Sequence, residues 1–124
     1  GINLFHVSEM YLIAAEAYAR AGQNDNAKTY FSNFVANRDP EYTDLGNTGD
    51  ALAEEVMTHR RIELWGEGFR WFDLKRLNMA VNRTGSNYDI TFCGFLQRGQ
   101  AEDGWYYEIP KNETDFNTLM EKNY

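Results

Sequence analysis

Two apolar segments with a helical period, separated by a turn of a few residues, restrict this chain more than any other feature. From Ser8 to Ala21 nearly every position is apolar, and the polar residues Glu9, Glu16, Arg20 and Gln23 fall along one narrow stripe. That pattern describes a mostly buried helix with one wet edge. Glu16 and Arg20 stand in the i, i+4 order that favours a solvated ion pair, and Gly22 occupies the place of a left-handed helix end. Asn24 or Asp25 can cap a second helix in which Ala27, Tyr30, Phe31, Phe34 and Val35 share a face. Helices joined so tightly lie antiparallel, as an αα-hairpin.

The hairpin's residues resemble one tetratricopeptide unit: Tyr11, Ala15 and Tyr18 on the first helix, Ala27 and Phe31 on the second, then Pro40. Ala14 stands at the consensus leucine place, and the bulky Phe34 where a small residue is usual. One such unit cannot bury both faces, and about three stacked units are normally needed for stability. Only one clear copy is present, so either the following helices cover the open face or further repeats lie in a longer chain. After the turn-rich link Pro40 to Gly49, Asp50 is placed to cap a third helix running through Val56, Arg60 and Leu64 to Trp65. Gly66 and Gly68 end it, and Phe69 to Leu77 reads as a fourth helix with Phe69, Phe72 and Leu77 inward. Tyr88 to Leu96 and Trp105 to Ile109 are β-prone and suited to pairing as a small ribbon, with a last irregular helical turn or two within Asn112 to Asn123. The expected architecture is all-α: a tetratricopeptide-like helical hairpin plus two further helices and an irregular, partly β C-terminal segment, in a single domain over residues 1–124.

Charge narrows the partners. Twelve Lys and Arg against nineteen Asp and Glu in 124 residues leave a net charge of −7, which repels phosphate backbones and anionic lipid and argues against nucleic acid or a membrane surface as partner. The longest apolar candidate, Tyr11 to Ala19, is interrupted by Glu16 and falls short of the roughly 18 to 20 residues that span a bilayer, so a soluble piece is expected. Cys93 has no second cysteine to bridge and reads as a buried small hydrophobe.

The densest feature is the stretch Arg60 to Arg76, RRIELWGEGFRWFDLKR, in which charges alternate with large apolar residues across a helix, a glycine turn and another helix. Arg60, Glu63, Glu67, Arg70, Asp73 and Arg76 are read as a structural ion network, because charges brought near a core need partners; the alternative is an anion site at Arg70 or Arg76. Glu55, His59 and Glu63 share a helix face at a spacing that could hold a metal, but no HExxH or cysteine pair accompanies them, and a solvated face is the expectation. No phosphate loop, nucleophile elbow or marked acid pair points to catalysis, so no catalytic residue, metal or cofactor is expected. Nineteen aromatic rings are many for so small a core, and Tyr88, Phe95, Trp105, Tyr106 and Tyr107 fall in or beside loops. Rings with a polar handle suit sugar faces or a protein partner, and Tyr88 and Trp105 are the candidate ligand contacts, with at least half of these rings expected in the core.

Three segments carry a family resemblance: Glu9 to Ala17 (EMYLIAAEA), Arg60 to Arg76, and the closing Ile109-Pro110 with Glu113, Asn117 and Asn123. In that order they resemble the C-terminal part of the SusD/RagB family, with His59 where glutamate is common and Thr118 and Lys122 where proline and glutamine are usual. The resemblance implies a surface-exposed outer-membrane lipoprotein of Bacteroidetes that binds glycans or other nutrients without catalysis and forms a lid on a SusC-type TonB-dependent transporter. It further implies that the signal peptide, lipidated cysteine and larger N-terminal portion lie outside this chain, so that membrane attachment comes only through that anchor. The shared motifs are structural and carry over no ligand-binding residue. A helical-repeat adaptor that holds only proteins is the rival reading.

Overall fold

Gly22, with φ of 74°, turns the chain out of the first helix: its amide donates to Ala19 O and that of Gln23 to Tyr18 O, closing two carbonyls a helix end leaves open. In the computed structural model, which describes residues 6–87, 89–102, 104–117, 119 and 120, this turn joins α1 (Val7–Arg20) to α2 (Asn24–Val35). The chain divides into two compact units, residues 1–69 and 70–124. The first holds α1, α2 and α3 (Gly49–Glu63); the second holds α4 (Phe69–Arg76, from its second residue onward), β1 (Val81–Asn82), α5 (Ile90–Cys93), β2 (Gln97–Arg98) and α6 (Lys111–Phe116). The all-α, tetratricopeptide-like reading therefore holds, and among the described residues no helix is long and apolar enough to cross a membrane.

In the first unit Leu12, Ala15 and Ala19 of α1 meet Ala27, Phe31, Phe34 and Val35 of α2 and Leu52, Ala53 and Val56 of α3. Small residues on α1 let the three backbones approach, while Tyr11 and Tyr18 lean on the core edge and both pack against Tyr30. Of the two ways of covering the hairpin's open face, α3 supplies one within this chain.

The wet edge expected on α1 is a correction. Glu9 and Glu16 are buried, whereas Val7, Met10 and Ile13 are exposed. Helical period identifies the stripe but not its direction, and here the acids turn inward because cations meet them: Arg20 Nε donates to Glu16 at 2.8 Å and Arg60 of α3 donates to Glu9. The expected cap of α2 is corrected as well. The residue before that helix is Gln23, and Asn24 reaches across to accept the amide of Gly49 at 2.7 Å, satisfying a first-turn donor of α3.

The second unit is built on Trp105, 2% exposed, whose indole stacks on Trp71 at 4.7 Å and donates to Gly99 O. Leu74 and Asp73 are the buried face of α4, and Phe72, expected inward, is exposed. Gln100 Nε2 closes the end of that helix by donating to the carbonyls of Leu74 and Met79. A two-strand antiparallel ribbon exists, but its strands are β1 and β2, with Val81 opposite Arg98 and Asn82 opposite Gln97. Within Tyr88 to Leu96 the chain forms α5 instead, started by Asp89 accepting the Thr91 amide and ended by Gly94 in the left-handed region. Trp105 to Ile109 forms no strand, and Trp105 is held by the Trp71 stack.

Asn24→Ala lowers unfolding free energy by about 0.5–2 kcal/mol in chemical denaturation, with faster amide exchange at Gly49 and in the first turn of α3. Faster exchange confined to the start of α2 would show that Asn24 serves its own helix.

Candidate functional site

Each of the six ionic residues expected to form the network has a definite place. Arg60 Nη2 donates to Glu9 Oε1 at 2.8 Å, with the two side chains 7% and 8% exposed, and its guanidinium lies over the ring of Phe69 at 5.5 Å. Glu63 accepts two parallel bonds from Arg38, Nε at 2.8 Å and Nη2 at 2.7 Å, the fork geometry a guanidinium offers a carboxylate. Glu67 meets His6 Nε2 at 3.2 Å. These three partners come from α1, its approach and the end of α2. They join the third helix to the hairpin, where the sequence reading joined the third helix to the fourth. In the second unit Asp73 is buried and accepts from Arg76 Nε at 2.9 Å, and Arg70 is half-buried on α4. Arg38 was missed as a partner because it follows the periodic part of α2 and belongs to no motif.

Glu55, His59 and Glu63 do not converge as metal ligands. Tyr42 donates to one oxygen of Glu55 at 2.5 Å and Asn47 to the other at 2.9 Å. His59 stands edge-on among Phe31, Phe34 and Tyr42, with centroid separations from 5.0 to 6.3 Å. Among the described residues no group of three His, Cys, Asp or Glu is arranged to hold a metal ion. Tyr42, Asn47, Glu54, Glu55, Thr58 and His59 instead line an open groove between the α2–α3 link and α3. Burial first, then donation to Glu55, holds the Tyr42 hydroxyl protonated well above the ordinary phenol range.

Of the two candidate ligand contacts, Tyr88 lies outside the described residues, as does the side chain of Cys93. Trp105 is engaged inside its own unit, one ring face against Trp71 and its N–H on Gly99 O, so it positions neighbours more directly than it meets a solute. Those neighbours are Tyr106 and Tyr107, 70% and 84% exposed. Lys75 Nζ lies 4.5 Å from the Tyr106 ring centroid and 6.0 Å from that of Trp71, so an ammonium group accompanies an exposed ring. Alternation along Trp105–Tyr107 separates Trp105, which faces in, from Tyr106, which faces out, but fails at Tyr107, which is exposed as well because the segment is not a strand. Lys75 carried no signal, because its relation to Tyr106 depends on the loop that intervenes.

The family model described as the SusD family matches residues 2–124. The SusD-like protein P38 of Formosa agariphila is 34% identical over 98 residues, covering 73% of this chain and 20% of that protein. The chain thus spans about a fifth of the length of the curated relative it matches. No solved structure matches it.

The Arg38 fork holds the Glu63 carboxyl below its ordinary value of 4.5, against an opposing effect of burial. A depressed folded-state value stabilises the fold above that ordinary value and ceases to do so as pH falls through the lowered one. Glu63→Gln is therefore less stable than the parent at pH 7 in thermal melts, and the gap closes as pH falls below about 4.5. A gap of constant size from pH 7 to pH 3 would contradict this assignment.

Proposed function

The chain belongs to the SusD family, and from that membership together with the exposed rings of the second unit we propose that it is part of a non-catalytic, glycan-binding component of an outer-membrane uptake system. In this reading the whole protein is a surface-exposed lipoprotein, held to the membrane by a lipid anchor. It receives oligosaccharide and passes it to a SusC-like TonB-dependent transporter. No cofactor takes part.

The observation that carries the reading is the exposed Tyr106–Tyr107 pair with Lys75 beside Tyr106. The apolar C–H face of a pyranose stacks on a flat ring, which offers large area at small entropic cost. A flanking ammonium supplies three hydrogen-bond donors to sugar hydroxyls, and the Trp71–Trp105 stack gives the platform a rigid base. One or two stacked sugars give modest affinity, which suits a protein that must release its cargo to a transporter. Such binding strengthens along a polymer when several sugars engage several sites.

Affinity electrophoresis of the intact protein through gels containing individual polysaccharides tests this. At least one glycan is expected to retard it, and Tyr106→Ala weakens that retardation about tenfold without lowering the melting temperature. Retention of a protein partner with no retardation by any polysaccharide would favour the helical-repeat adaptor. Release of reducing sugar that disappears on substitution of one acid would establish a glycoside hydrolase instead.

A further inference from the structure

The chain's charge is divided unequally between its two units. Residues 1–69 carry five Lys and Arg against eleven Asp and Glu, a net of −6, whereas residues 70–124 carry seven against eight, a net of −1. An anionic solute is therefore opposed much less by the second unit than the total of −7 suggests. Within that unit two cations meet at one ring. The β1–β2 ribbon brings residue 83 beside residue 96, with the Arg83 amide donating to Leu96 O at 2.7 Å. The Arg83 guanidinium carbon lies 5.0 Å from the Phe95 centroid and that of Arg98 lies 5.2 Å from it, so the two are at most about 10 Å apart.

Arg98 is the sharper member. Its Nε is buried with no hydrogen-bond acceptor, and among the described residues no carboxylate pairs with it. The terminal nitrogens of its fork lie beside Gly104, where a Cβ would stand 3.8 and 3.9 Å from them. With φ of 91° that position suits glycine, and any side chain there would press against the half-buried guanidinium. A guanidinium whose position is set by an aromatic ring, and which no acid among the described residues pairs, is prepared for an oxyanion from outside.

We infer that Arg98, held on Phe95 with Arg83 on the same ring, forms a subsite for an anionic group carried by the saccharide, a carboxylate or a sulfate ester. This rests on the glycan-binding reading and adds to it the class of glycan: an acidic one. The cation at Lys75 belongs to the ring platform and is not needed for the subsite.

Two matched pairs of polymers test it on the intact protein: dextran sulfate against dextran, and polygalacturonate against its methyl ester. Retardation is expected to be stronger with at least one anionic member than with its neutral partner, the member that binds separating sulfate from carboxylate. Arg98→Gln weakens that binding about tenfold and leaves any neutral-glycan binding unchanged. Arg98→Lys, which keeps the charge and loses the fork, restores only part of it. Circular dichroism melts of each variant separate lost binding from lost folding, and Arg83→Gln provides a second variant should Arg98→Gln fail to fold. Equal retardation by both members of each pair, or a lower melting temperature in Arg98→Gln with binding intact, would overturn the inference while leaving glycan binding standing. Retardation by no polysaccharide at all would overturn both.

Discussion

The first unit depends on one ion pair removed from water. Glu9 and Arg60 are 51 positions apart in the sequence and are both buried, with Phe69 covering the guanidinium. Taking two charges out of water costs several kcal/mol per ion, and only close geometry with further partners repays it. Such a pair therefore constrains more than it stabilises. Any register of α3 on the hairpin that separated these groups would strand a charge in the core. Arg38–Glu63 and His6–Glu67 act at the same end of α3, so three contacts fix where that helix lies and how far it can slide. The pair also joins two of the three segments that carry the family resemblance, EMYLIAAEA through Glu9 and RRIELWGEGFRWFDLKR through Arg60.

Once α3 is fixed, the remaining organisation of that unit follows. The small residues Ala15, Ala19, Ala27 and Ala53 pack at the helix contacts, and Phe31 fills the space between α2 and the His59–Tyr42 corner. The groove beside that corner carries several acids, but Glu55 accepts bonds through both oxygens and is engaged in holding the α2–α3 link. The second unit is built differently. Short helices and a two-residue ribbon carry few apolar contacts, and Trp105 with Gln100 does what a larger core would do elsewhere. Its exposed Tyr106 and Tyr107 thus stand on a loop braced from below, a common location for recognition, beside the half-buried Lys75 of α4.

The elements with a strong local signal were legible in the sequence. Apolar period located α1, α2 and α3 to within a residue or two, Gly22 stood where a left-handed turn was needed, and Asn112 to Asn123 was read as helical where α6 forms. What failed depended on distant residues. The acids of α1 read as solvated because nothing local announces Arg60 as a partner for Glu9. Asn24 read as the cap of its own helix because Gly49 is brought to it only by the fold. Tyr88 to Leu96 has β propensity, yet Asp89 and Gly94 supply the start and stop of a helical turn, and the ribbon forms from Val81–Asn82 and Gln97–Arg98. For the candidate site, the composition of the ring-rich C-terminal segment was legible, while the choice of which ring faces out was settled by the stack of Trp105 on Trp71.

A double-mutant cycle at Glu9 and Arg60 tests the central claim most directly, with stability measured by chemical denaturation of the parent, Glu9→Leu, Arg60→Met and the double variant. The account predicts that each single substitution costs about 3–5 kcal/mol by leaving one charge buried without its counterion, and that the apolar double variant costs far less than the two together. Additive costs, with no coupling between the two positions, would contradict it.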